Sequence, residues 1–150
     1  MLHCLSQTQT LPLSLDQAWA FFSDPANLSR ITPGWLSFKL TCAPPVSMYA
    51  GQILTYTISP IPMLRLRWVT EITQVREPYF FVDEQRIGPY RFWHHQHFFE
   101  HTEDGLLMTD HVHYALPAGP VGDLMHALWF KKRLVSIFQY RRKVLAEMFT

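Results

Sequence analysis

The stretch from Pro120 to Phe149 constrains this chain more than any other, because it reads as one long helix. Pro117, Gly119 and Pro120 interrupt the structure before it, and Asp123 puts a carboxylate in its first turn, where the helix dipole favours negative charge. At ~1.5 Å per residue such a helix spans roughly 40 Å, the diameter of a domain this size, so it must cross the whole molecule. Ala127, Phe130, Leu134, Ile137, Phe138, Val144, Leu145 and Met148 recur at helical spacing, which predicts an apolar face along the far half. In the near half, Leu124, Met125, Leu128, Trp129 and Phe130 point round almost the full circumference. Two arrangements satisfy that pattern: protein on both sides, or an apolar cavity bordered by this half.

The elements before the helix follow from periodicity and breakers. Residues 2 to 11 alternate, Leu5, Gln7, Gln9 and Leu11 against Cys4, Ser6, Thr8 and Thr10, and predict a strand ending at Pro12. Ser14 with Gln17 is a capping-box pattern, and Leu15, Ala18, Trp19 and Phe22 continue it as a short helix. Asp24-Pro25 opens a second short helix that Pro33-Gly34 stops. From Trp35 to Leu116 the period becomes two. Strands are predicted over residues 35–42, 51–58, 63–75, 79–87, 90–101 and 106–116, separated by Pro-rich or Gly-containing turns, and they form an antiparallel meander. The loop Ala43 to Gly51, with Met48 and Tyr49, reads either as a lid over a pocket mouth or as an ordinary connector.

A meander with helices only at its ends is an α+β arrangement, and only the last helix is long enough to cover the sheet's apolar face. The 150 residues fit one domain, 1–150. Aromatic residues make up 15% of the chain and charged ones only 17%, so much bulky apolar surface has to be hidden in a core or a pocket. The net charge of +1, with no basic run longer than Lys131-Lys132-Arg133, gives no field that would draw nucleic acid, and no such partner is expected. Leu128-Trp129-Phe130 before that basic run has the order of a membrane-surface helix, but a core face meeting a solvated one makes the same pattern, so membrane contact is a minor alternative. No signal peptide is recognisable and no apolar run approaches the ~20 residues of a membrane span, which predicts a cytoplasmic protein. Cys4 and Cys42 lack any zinc-type spacing and are read as buried thiols.

This order of elements, together with Asp24-Pro25-Ala26-Asn27-Leu28, Ile31-Thr32-Pro33, Phe81-Val82-Asp83-Glu84-Gln85, Gly88-Pro89-Tyr90-Arg91, Trp93-x-His95-x-His97-x-Phe99 and Tyr114-x-Leu116-Pro117, resembles the START/SRPBCC superfamily, which includes the birch-pollen allergens and aromatic polyketide cyclases. The likeness is strongest to a bacterial branch of ligand-binding SRPBCC domains. It implies a helix-grip fold: about seven antiparallel strands curved around the C-terminal helix, with two short helices after the first strand. It further implies a deep cavity that takes a hydrophobic or amphipathic small molecule.

Alternation then sorts the inner faces. Leu64, Leu66, Trp68, Thr70 and Ile72 oppose Arg65, Arg67 and Glu71 and go inside; so do Met108, Asp110, Val112, Tyr114 and Leu116. Trp93, His95, His97 and Phe99 share one face. Hydrophobicity does not choose between the faces of residues 79–87, and the resemblance puts Phe81, Asp83 and Gln85 inside. An otherwise apolar interior thus holds Asp83, Gln85, His95, His97 and Asp110, which must satisfy each other, water or a ligand, because a buried unpaired carboxylate costs several kcal/mol. Arg141, amid the apolar stripe of the helix, needs a carboxylate. His94, His111 and His113 fall on the outer face.

Several readings of the cluster remain open. It is a structural network, or it is the polar end of a pocket whose body is formed by Trp19, Trp68, Trp93, Leu124 and Leu128. It could also serve a cyclase- or dehydratase-type enzyme, with His95 or His97 as base beside Asp83 or Asp110. Two histidines and a carboxylate would suit a metal, yet the fold offers no precedent for one, and no metal or cofactor is expected. The reading carried forward is binding of a hydrophobic or amphipathic molecule, for storage, transport or sensing, without covalent chemistry. The alternatives are the enzyme and a protein-interaction module.

Overall fold

The alternation after Leu2 becomes strand β1, His3–Leu11, with Leu5, Gln7, Gln9 and Leu11 on the less exposed side. The structure, a computed structural model, describes residues 1–150. The Ser14 hydroxyl accepts from the Gln17 amide at 3.2 Å while the Gln17 side chain accepts from the Ser14 amide at 2.9 Å, and this reciprocal cap starts helix α1, Leu15–Phe22. Asp24 caps the next segment through the Ala26 amide, but Pro25–Ile31 winds as a 3-10 helix, and a second 3-10 turn, Gly34–Leu36, follows it.

That second turn corrects one expectation. The strand read over residues 35–42 shrinks to Lys39–Leu40 (β2), because Trp35 and Leu36 are taken into the turn. It is closed by Ser37 N donating to Gly34 O, with Ser37 at a left-handed φ of 49°. Strand β3, Gln52–Ile61, runs past the proline boundary predicted for it, and β4, Leu64–Arg76, has the expected length, shifted by one residue. Pro60 is accommodated by a shift of register between Ile58 and Ile61, at a point where β2, which pairs only with Thr57 and Tyr56, leaves the edge open. Strands β5, Phe80–Ile87, β6, Phe92–Thr102, and β7, Gly105–Ala115, complete the meander. Gly105 closes the last hairpin at φ 121°, where a Cβ would sit 2.6 Å from the Leu11 carbonyl oxygen.

All seven strands join one antiparallel sheet in the order β1-β7-β6-β5-β4-β3-β2. Irregularities in β4 between Val69 and Thr70 and between Ile72 and Gln74 are the places where such a sheet bends. Cys4 and Cys42 are free thiols, but they are not both buried. Cys4 lies on the outer face of β1 and is exposed, and Cys42 is half-buried beyond β2.

The closing helix runs from Gly119 to Met148 in three parts: α2, Gly119–Met125; a π turn, His126–Phe130; and α3, Lys131–Met148. The backbone stays helical through both junctions, so the rod is continuous. Gly122 lets the start of the helix press on the chain leading into it; a Cβ there would stand 2.0 Å from the Pro117 carbonyl oxygen. The π turn has a second consequence. It inserts about one extra residue per turn, which rotates the face before it by about 100° relative to the face after it. The buried residues are therefore Gly122, His126, Leu134, Phe138, Arg141 and Leu145, and the outward ones include Leu124 and Leu128, at 59% and 63% exposure. A uniform helix would have continued the inner face of α3 through Phe130, Ala127 and Asp123 instead of His126 and Gly122.

Two apolar clusters pin the rod to the sheet. Leu145 joins Leu11, Trp19, Phe21, Phe81, Phe99 and Met108, and Leu134 and Phe138 join Trp93, Val112 and Tyr114. No helix is long and apolar enough to cross a membrane. Replacing fully buried Leu145 with alanine should cost about 2–5 kcal/mol in urea unfolding, the range for a large-to-small change in a packed core. The same change at Leu124, on the same rod, should stay within about 0.5 kcal/mol.

Candidate functional site

Between the sheet and the helix lies a cavity of about 340 Å³, lined by 36 residues of which 24 are hydrophobic. Each layer contributes: Phe22 of α1, Leu28, Ile31 and Trp35 of the 3-10 turns, Leu54, Tyr56 and Ile58 of β3, Leu64, Leu66, Trp68, Thr70 and Ile72 of β4, and Trp129, Leu134, Ile137 and Phe138 of the helix. The hydrophobic lining residues that stay exposed, Trp35, Ile61 and Leu64, mark its mouth. There the Arg133 guanidinium lies 4.5 Å from the Trp35 ring and 4.8 Å from the Trp129 ring, joining the 3-10 turn to the helix by cation–π contacts.

The deep end is polar because three neighbouring strands bring alternate residues to it. Asp83 of β5 pairs with His95 of β6, and His97 pairs with Asp110 of β7. His97 Nε2 is 2.6 Å from Asp83 Oδ2, and Trp93 Nε1 donates to Asp83 Oδ1 at 3.3 Å. His95 Nε2 is 2.9 Å from Asp110 Oδ1, and its Nδ1 is 3.5 Å from Asp83 Oδ2. His97 Nδ1 comes within 3.2 Å of Asp110 Oδ1, out of line for a hydrogen bond. Behind the histidines, Arg141 Nη1 lies 3.7 Å from the same oxygen of Asp110, whose side chain is wholly shielded. The two imidazoles lie with centroids 3.7 Å apart, and Phe81 stacks on His97 at 4.1 Å.

The charges follow from these neighbours. Burial pushes the Asp110 carboxyl up, but the Arg141 guanidinium and the two imidazoles outweigh it and hold the group well below the usual carboxylate range. Burial likewise opposes Asp83, and the histidines and Trp93 overcome it, leaving a lowered value. His95 is pushed down by burial and then by its neighbour His97, against the pull of the carboxylates. Burial pushes His97 down as well, but the nearby Asp110 carboxylate and the bond to Asp83 outweigh it, and its value is raised. Two imidazoles in contact do not both charge easily, and His97 is the one that holds a proton more firmly.

Of the residues singled out from sequence, Trp68, Thr70, Phe81, Asp83, Trp93, His95 and His97 line the cavity. The others do not. Trp19 and Met108 are packed in the core beneath it, and Val112 and Tyr114 in the second cluster. Asp110 sits behind the histidines, and Gln85 turns aside to the Tyr90 backbone, donating to its carbonyl at 2.6 Å. Leu124 and Leu128 face outward beyond the π turn. Arg141 meets the carboxylate it required, and it also lines the cavity. Tyr56, Trp35 and Arg133 were not singled out: Trp35 was read into a strand, and a lone arginine in a basic run carries no sign of two tryptophans beside it. In the loop Ala43 to Gly51, Met48 lines the cavity and Tyr49 is exposed.

No family model matches the chain, and no curated protein sequence does either. Solved structures are similar over nearly all of it. Protein CV1439 from Chromobacterium violaceum has a TM-score of 0.74 at 11% identity, covering 97% of this chain and 96% of that one. Ginseng major latex-like protein 151 from Panax ginseng has a TM-score of 0.66 at 13% identity, covering 100% and 99%. The fold is START/SRPBCC-like. The same fold forms part of a larger chain in the nucleoside-diphosphate sugar epimerase from Corynebacterium glutamicum, with a TM-score of 0.66 at 22% identity over 95% of this chain and 28% of that one. In this START/SRPBCC-like scaffold the grip of sheet on helix leaves the apolar cavity, and Asp110 with Arg141 closes its far end.

Arg141→Met should destabilise by about 3–5 kcal/mol, because it leaves a buried carboxylate without its cation, and adding Asp110→Asn should recover part of that loss in chemical denaturation. The sign with pH is fixed. A carboxyl held low in the folded state contributes stability that is present above about pH 4 and lost as the pH falls through its folded-state value. Arg141→Met lets that value rise, so the acid-side loss should move to higher pH.

Proposed function

We propose that the chain binds a small hydrophobic or amphipathic molecule between sheet and helix, with its apolar body against Trp68, Leu66, Ile137 and Phe138 and its polar head at Asp83, His95, His97 and Thr70. The observation that carries this reading is the cavity itself: about 340 Å³, walled mostly by apolar side chains, with its polar groups gathered at one end. Pockets of a few hundred Å³ with few, convergent polar groups are the usual form of small-molecule sites. The similar structures support it through their shared fold. The reading is of one cytoplasmic domain that stores, transports or senses its ligand, with neither nucleic acid nor membrane as its target.

One observation favours a second reading. The Asp83–His97 pair faces the cavity, joined at 2.6 Å, and a coupled imidazole–carboxylate pair can exchange a proton with a bound ligand. A cyclase- or dehydratase-like activity on the same ligand would use that pair. The interaction-module reading has less behind it, since it called for a closed interior.

A naphthylamine probe that fluoresces on entering apolar surroundings should bind saturably and quench emission from Trp68 and Trp93. Leu66→Trp, which fills the cavity from a half-buried wall position, should weaken that binding by ten-fold or more, while Leu124→Trp on the outer side of the helix leaves it unchanged. Probe binding that survives the filling substitution would sink the proposal.

A further inference from the structure

The deep end of the cavity holds three donors aimed at one another. Asp83 lies opposite His95 across β5 and β6, and His97 follows two residues on, so strand alternation puts all three on the cavity side. One ligand atom from each lies within 4.8 Å of the other two. The contacts identify those atoms: Asp83 Oδ2 is 2.6 Å from His97 Nε2 and 3.5 Å from His95 Nδ1. Donors that share one metal at about 2.0–2.2 Å, with bond angles of about 90–110°, stand about 2.9–3.5 Å apart. The Asp83–His95 edge already fits, and the Asp83–His97 edge has to open by a few tenths of an ångström.

One carboxylate stands behind both rings. His95 Nε2 is bonded to Asp110 Oδ1 at 2.9 Å, and His97 Nδ1, without a hydrogen bond of its own, lies 3.2 Å from the same oxygen. A carboxylate behind an imidazole fixes the tautomer that turns a lone pair forward and makes that nitrogen a better ligand. Arg141 Nη1 stands 3.7 Å from the same oxygen of Asp110, a cation beside that carboxylate. A network needed only to satisfy buried groups does not require one carboxylate behind both rings and another in front of both.

We infer that Asp83 Oδ2, His95 Nδ1 and His97 Nε2 form a binding site for a divalent transition-metal ion of the zinc or iron(II) class, with open coordination positions toward the cavity. Two imidazoles and one carboxylate suit such ions, whereas magnesium and calcium prefer oxygen throughout. The site needs only the cluster and stands without the ligand-binding reading. One extension does rest on that reading: a dication beside Arg141 outweighs the two carboxylates, so the ligand head it favours is an anion, a carboxylate or enolate oxygen.

The test is titration of the chelator-stripped full chain with Zn²⁺ and with Co²⁺, followed by calorimetry and by the visible absorption of Co²⁺. One equivalent should bind, with the absorption bands of a low-coordinate nitrogen and oxygen site. Asp110→Asn should weaken binding about 10–100-fold, and Asp83→Asn and His97→Gln by more than that, with circular dichroism confirming that each variant folds. His94 and His113 face each other across the outer side of β6 and β7 and offer a decoy, so His113→Ala should leave the bound equivalent unchanged. A wild-type chain that takes up no saturable equivalent overturns the inference without recourse to any variant. So does binding that His97→Gln preserves and His113→Ala removes. Leu66→Trp separates the two proposals: loss of the naphthylamine probe with the Co²⁺ spectrum retained supports the metal site on its own, and probe binding in a chain that takes no metal overturns the metal site alone.

Discussion

A fully shielded carboxylate in the middle of an apolar sheet organises this molecule. Asp110 could not remain ionised there unaided, since the cost of removing a lone charge from water is several kcal/mol. Its partners come from two different layers, His95 and His97 from the adjoining strand and Arg141 from the helix. Satisfying it therefore fixes where α3 crosses the sheet and how the helix is rotated about its axis. The apolar clusters on either side, around Leu145 and around Phe138, supply the larger part of the burial energy, but clusters of aliphatic and aromatic side chains tolerate sliding in a way that a charge pair does not.

The cavity follows from the same arrangement. A sheet that bends at the irregularities of β4 and is held off the helix by large rings cannot close completely on it. Trp68, Trp93 and Tyr90 meet edge to face or tilted, Phe138 meets His95 edge to face, and rings packed that way prop walls apart as much as they fill them. At the far end the polar groups gather against one another, with His97 Nδ1, Asp110 Oδ2 and Arg141 Nε left without a hydrogen bond. At the mouth, Arg133 joins Trp35 to Trp129, so the rim is held by cation–π contacts rather than by the sheet. The proposed functions all draw on this contrast between a greasy body and a charged, enclosed end.

Much of this was legible in the residues. Alternation in β4, β6 and β7 predicts the inner faces correctly, down to the sharing of one space by His95, His97 and Asp110, because strand geometry allows only two faces and one was plainly apolar. The need of Arg141 for a carboxylate could be read from its place in a hydrophobic stripe. What misled was local winding. The 3-10 turn at Gly34–Leu36 removed Trp35 from a strand and put it at the mouth, and the π turn at His126–Phe130 set His126 and Gly122, rather than Ala127 and Asp123, on the inner face of the helix. Neither turn has a periodicity of its own, so patterns of apolar residues cannot announce them.

The division has a physical basis. By itself the sequence determined the order and kind of elements, the inward face of each long strand and the need to bury a long amphipathic helix, because these depend on backbone periodicity and local breakers. Only the tertiary structure decided which donors converge, how far the sheet stands from the helix and which half of the helix lines the cavity. Those depend on register between strands and on a single extra residue in one helical turn, quantities set by packing between elements distant in the chain.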